Sequence, residues 1–286
     1  MNRRSAIFSI IFSFAAIHCA NGSTTSCSAA ISTVSARQQE IPKAEIQVIR
    51  LLGEGSFSKA YEVEHKGNKR AYVENTELLL GDNPNSILAN VELDRGEIQK
   101  LNSITLAEAQ EILRTYVVDW KSFDLKKIGL KMLEHNISQI LNTYSYLKQL
   151  EGLKVNGKQI SPRVYGIVHS EKTGLISGIL MELIPGVTLE HAVRNKLVSK
   201  NQLQQIKAEV VTQLRELHQN DFTHGDPFPV NIMVDLSTGF TPQVRLIDFW
   251  APSSGTANKI NDPEQEHTPA FDLATFEREF KKLISL

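Results

Sequence analysis

His224-Gly225-Asp226-Pro227-Phe228-Pro229-Val230-Asn231, followed further on by Leu246-Ile247-Asp248-Phe249-Trp250, decides how this chain is read. The first segment sets an Asp and, five residues later, an Asn in a turn dense in Gly and Pro. The second ends an apolar run on another Asp. An ordinary Asp/Pro/Asn turn between helices and a strand has the same composition. Two neighbours set this one apart. The stretch Lys200 to His218 carries Ile206, Val210, Val211, Leu214 and Leu217 on one helical stripe and runs straight into the turn. Short apolar runs over 232–234 and 244–247 then bracket the two loops as strands.

Working outward, the pattern upstream is β-rich. Ile46 to Leu52 leads into Gly53-Glu54-Gly55-Ser56-Phe57-Ser58, followed by strand signals over 59–65 and 70–76 about a Lys66-Gly67-Asn68-Lys69 turn. Residues 77–130 read as a helical insert broken at Gly81-Asp82-Asn83-Pro84-Asn85. Met132 to Leu150 has apolar residues at helical spacing, and Gly152 closes it. Strands are expected over 164–168 and 175–183, a Pro185-Gly186 turn after them, and helices over 188–194, 200–218 and 271–284. The fold class is α+β with two lobes: 46–184 β-rich with the insert, 185–286 mostly helical, and a ligand cleft between them.

The joint pattern resembles the catalytic and metal-binding loops of the protein-kinase-like superfamily. It has the H-G-D form seen in aminoglycoside phosphotransferases and in RIO-like and related small atypical kinases. The resemblance implies transfer of the ATP γ-phosphate to a hydroxyl, with Asp226 orienting the acceptor and Asn231 and Asp248 holding Mg²⁺, or Mn²⁺ in its place. His224 would buttress the loop. Gly53, Gly55, Ser56 and Phe57 would bring backbone N–H groups to the phosphates. Backbone groups of Glu182 and Ile184, in Met181-Glu182-Leu183-Ile184, would meet the adenine edge. Asp272 of Phe271-Asp272-Leu273-Ala274 would bond the catalytic-loop backbone from below.

The chain also departs from that pattern. Ser58 replaces a third glycine, Trp250 replaces the glycine of D-F-G, and Gly225 replaces an arginine that pairs with phosphorylated activation loops. Ala71-Tyr72-Val73-Glu74 aligns with V-A-I-K and puts Glu74 where the phosphate-binding lysine belongs. Lys59 or Lys69 could supply that charge, with Lys59 reading equally as a solvated strand residue. On the following helix the carboxylate partner falls at Asn142 or Thr143, with Glu134 about two turns earlier. The expectation is an atypical kinase acting on Ser/Thr of a protein rather than on a small molecule. The alternative is a pseudokinase that binds a nucleotide or a protein without turnover.

A net charge of -1 gives no electrostatic case for nucleic acid or a membrane surface. Arg3 and Arg4 precede an apolar run, Ala6 to Ile17, and then small polar residues, the order of a secretory signal peptide over 1–29. The run is shorter than the ~20 residues that span a bilayer. A flexible lead-in is expected over 30–45. Both cysteines, Cys19 and Cys27, lie in this leader, so the folded part holds no disulfide or cysteine-based zinc site. Lipoprotein anchoring at Cys19 is the minor alternative to simple export.

Overall fold

The glycine-flanked strands after Ile46 open a mixed sheet. The structure, a computed structural model, describes residues 39–55, 58–75, 91–117, 124–237, 241–251 and 268–285. The expected leader and the loop residues Ser56 and Phe57 lie outside them. In chain order the sheet holds β1 (Glu40–Pro42), β2 (Ile46–Glu54), β3 (Ser58–His65), β4 (Asn68–Asn75), β7 (Val164–His169) and β8 (Ile176–Met181). Their lateral order is β1-β7-β8-β4-β3-β2, with β1 parallel to β7 and the other neighbours antiparallel. Lys66 and Gly67, at φ 51 and 74, make the tight turn between β3 and β4. Positive φ at both central residues matches the twist of a two-residue hairpin.

Three helices follow. α1 (Arg95–Asn102) and α2 (Leu106–Thr115) each start on a reciprocal cap, Asp94 with Glu97 and Thr105 with Glu108. α3 runs Leu125–Leu150, so it begins inside the stretch expected as a separate insert. After the small hairpin β5 (Lys154–Val155) and β6 (Lys158–Gln159), and after β7 and β8, the chain enters a helical half. That half holds β9 (Val187–Thr188), α4 (Leu189–Arg194), α5 (Lys200–Gln219), β10 (Ile232–Asp235), β11 (Gln243–Leu246) and α6 (Pro269–Ile284). β11-β10-β9 form a second, small sheet. The two-lobed α+β architecture is the one expected.

The large sheet is packed on both faces. Ile167 and Ile179 belong to the main core with α3, α5 and α6, while their strand neighbours Val168 and Leu180 belong to a second cluster with Ile41, Ile46, Val63 and Tyr72. Alternation along a strand makes these opposite faces. The second cluster corrects the expected lead-in over 30–45. Residues 40–42 form β1 and 43–45 a 3-10 turn that carries the chain on to β2. Ile41 is 1% exposed, and this burial fixes a segment whose three residues are too few to show a period.

Candidate active site

α5 delivers the chain to the loop read first. Its end is pinned by α3, because the Tyr146 hydroxyl donates to the Thr223 carbonyl (2.7 Å) and accepts from the Thr223 N–H (2.9 Å). From α6, the buried Asp272 accepts from the backbone N–H of His224 (2.7 Å) and of Gly225 (2.9 Å). His218, on the last turn of α5, lies 2.9 Å from the same carboxylate. Gly225 sits at φ 81, a conformation natural to glycine. His224 is fully buried and stacks on Phe249 at 4.5 Å. Its Nδ1 accepts from the Asp226 N–H (3.3 Å), and its carbonyl accepts from the Trp250 N–H (2.9 Å). Burial lowers the His224 pKa to about 4, so the ring is a neutral strut between the two loops.

Asp226 and Asn231 meet directly. The Asn231 Nδ2 donates to Asp226 Oδ2 (2.7 Å) and to the Asp226 carbonyl (3.0 Å). Asn231 also accepts, through its backbone carbonyl, from the Ile247 N–H (2.9 Å), which places Asp248 one residue from that bond. Asp248 adopts φ 57, and its carboxyl, solvent-accessible but hemmed in by protein, is pushed above the ordinary carboxylate value by desolvation. The three residues expected to work together are therefore brought close by the backbone pairing of the two loops.

This donor set fits Mg²⁺. With the Asn231 nitrogen committed to Asp226, its amide oxygen is the group left for a cation, beside the Asp248 carboxylate. Mg²⁺ takes one or two protein oxygens and fills its shell with phosphate and water. Among the described residues no group of three or more His, Cys, Asp or Glu gathers as a metal cage.

Across the cleft the glycine turn is present. Gly55 N–H donates to the Ser58 carbonyl (2.8 Å). Among the described residues, a Cβ on Gly53 would meet nothing within 4 Å, and on Gly55 only Ser58 at 3.8 Å. No described neighbour demands glycine at these two positions.

Glu74 requires a correction. Its neighbour Val73 pairs with Ile179, a residue of the α3-side core, whereas Glu74 pairs with Gly178 and lies on the opposite face with Tyr72. There Glu74 is 3% exposed, ion-paired with Lys43 and hydrogen-bonded by the Tyr72 hydroxyl at 2.9 Å. Alignment by residue type was one position out, and a one-residue slip reverses the face. Lys59, directly opposite Glu74, shares that outer face and bonds Glu54 at 3.1 Å; Lys69 bonds Glu62 at 2.8 Å. Lys59 is therefore on the outer face, while Lys69 shares the face of Val73 but sits at the opposite end of the β3–β4 hairpin from the glycine turn, paired with Glu62. Glu134 pairs with Lys100 of α1, and Asn142 donates to the Ala251 carbonyl (3.3 Å).

At the interlobe crossing, the Glu182 N–H donates to the Arg163 carbonyl (2.8 Å), and its carboxylate accepts from the Arg163 N–H (3.1 Å) and from Arg245 (3.0 Å). Only its backbone carbonyl is left for an adenine edge. Ile184 is 9% exposed, so its side chain is packed away and any contact with a base falls to its backbone. Gly186, at φ 104, leaves room for the Val234 carbonyl, which a Cβ would meet at 2.2 Å.

Sequence reasoning missed His218, Tyr146 and Lys43. Each acts across a long sequence separation, and none lies in a spaced motif.

The sequence model of the protein kinase domain matches residues 109–274, more than half of the chain. The match takes in α3, the interlobe crossing and both loops, and begins beyond the glycine turn. No curated protein matches the chain. With a β-rich lobe over a helical one and the H-G-D loop held by α6, the chain belongs to the protein kinase domain family.

Proposed function

We propose that this protein transfers the γ-phosphate of Mg-ATP to a hydroxyl acceptor. The observation that carries the reading is the Asn231–Asp226 bond beside Asp248, on a loop fixed from below by Asp272. Asp226 would accept the acceptor hydroxyl's hydrogen bond and align its oxygen with the phosphorus. Asn231 and Asp248 would hold Mg²⁺, which neutralises phosphate charge when bound. A protein Ser/Thr acceptor is favoured over a small molecule because the matching family is that of protein kinases. Arg3, Arg4 and the apolar run after them support export; the secreted form would then begin at Asn21 or Ala30 by mass spectrometry, and one retaining Met1 would refute it. Among the described residues no helix is long and apolar enough to cross a membrane.

A pseudokinase is the second reading, favoured by the commitment of Lys59 and Lys69 to carboxylates. Phosphate release and peptide phosphorylation by the purified chain in Mg²⁺ or Mn²⁺ separate the two. Turnover that drops at least about a hundredfold in Asp226→Ala and Asp248→Ala supports the enzyme. Equal background in wild type and variants supports the pseudokinase.

A further inference from the structure

Asn75 closes β4 directly opposite Ser58, the residue whose carbonyl closes the glycine turn. Along β4 the side chains alternate, so Asn75 shares the face of Val73 and not that of Glu74. Val73 pairs with Ala60 on one side and with Ile179 of the α3-side core on the other. At its glycine-turn end the face that looks toward α3 and the cleft thus runs Ser58, Ala60, Val73, Asn75, all uncharged; its charged members, Glu62, Glu64 and Lys69, lie toward the other end of the hairpin.

Nor does this part of the chain hold a cation in reserve. Residues 39–75 contain six lysines and arginines. Lys43 pairs with Glu74, Arg50 and Lys69 with Glu62, Lys59 with Glu54, and Lys66 with Glu45. Arg70 lies 3.7 Å over the Tyr165 ring and bonds its hydroxyl at 2.6 Å. A nucleotide triphosphate brings several negative charges to the glycine turn. A neutral amide there can donate a hydrogen bond but cannot offset that charge.

We infer that Asn75 is the phosphate-side residue of the sheet and that, because it is neutral, nucleotide affinity is tied to the divalent cation. This rests on the reading of the cleft as a nucleotide site. A lysine in place of Asn75 would supply the missing charge, whereas a lysine in place of Glu74 would face Lys43 on the far side of the sheet.

The test is ATP binding to the full chain by calorimetry, with Mg²⁺ and with EDTA, for wild type, Asn75→Lys and Glu74→Lys. Thermal melts confirm folding. Wild type should bind in Mg²⁺ and weaken at least about tenfold in EDTA. Asn75→Lys should recover about tenfold or more of the EDTA affinity, the effect of one charge worth about 1.4 kcal/mol. Glu74→Lys should melt earlier with no gain. Wild-type binding in Mg²⁺ with no gain in Asn75→Lys overturns the inference alone, as does a gain confined to Glu74→Lys. If wild type and Asn75→Lys are both silent under every condition, the nucleotide reading falls with it.

Discussion

Gly225 and His224 show how single positions set the loop. At φ 81 an L-residue in place of Gly225 suffers a clash between Cβ and its own backbone worth roughly 1–2 kcal/mol. Gly225→Ala should lower the urea-unfolding free energy by about that amount while Asp272 still holds the loop; an unchanged midpoint would show the loop relaxing at no cost. His224 predicts a pH effect of definite sign. Its folded pKa, about 4, lies below the ordinary value of 6.5. Between those values the unfolded chain binds a proton that the native ring refuses. Stability from this residue is therefore complete above pH 6.5 and is lost as pH falls toward 4, by up to about 3 kcal/mol. Denaturation curves at pH 7.5 and 5.0 should separate less in His224→Gln than in wild type. Equal separation would mean that other groups carry the dependence.

At the scale of elements, the segment 40–46 acts as a strap over the outer face of the sheet. Ile41 and Ile46 pack with Tyr72, Val168 and Leu180, while Lys43 partners the buried Glu74. Removing one member of such a pair strands a buried carboxylate, so Lys43→Ala should cost about 2–4 kcal/mol. Adding Glu74→Gln should restore part of that loss, because the neutral amide no longer needs the ammonium. If the double variant is no more stable than Lys43→Ala alone, the ion pair is not the clasp. The same strap marks the limit of what periodicity conveys. α5 and β7 are long enough to display their pattern, and each was legible within a residue or two. β1 was not, because Glu40-Ile41-Pro42 contains a single buried side chain. The Glu74 register failed for a related reason. Tyr72 is buried on the outer face, but its bulk suits either face, and two irregularities in β2 shift the neighbouring strand's count. Of the candidate site, the meeting of Asp226 and Asn231 beside the strand that leads to Asp248 was legible in the spacing; the face of the sheet opposite needed its hydrogen-bonded neighbours.

Across the whole molecule, the lobes are joined by a few buried polar bonds as well as by the main core. α3 packs on the large sheet yet reaches the other lobe through Tyr146, whose hydroxyl bonds both backbone groups of Thr223, and through Asn142, which bonds the Ala251 carbonyl beyond Asp248. One helix thus touches both the start of the loop that carries Asp226 and the end of the loop that carries Asp248. Tyr146 is 1% exposed and Thr223 is fully buried, so no water stands ready to replace these bonds. Tyr146→Phe keeps the edge-on contact with Phe222 at 5.5 Å but leaves a buried N–H and a buried carbonyl unpaired. Each such group costs roughly 1–3 kcal/mol, which sets an expected loss of about 2–4 kcal/mol in unfolding free energy. Because Thr223 adjoins His224, the slack should pass to Asp226 before it reaches the glycine turn. Turnover in Tyr146→Phe should therefore fall several-fold with KM for ATP little changed, the signature of an acceptor-side displacement. A rise in KM with constant turnover would place the effect of α3 on the nucleotide side instead.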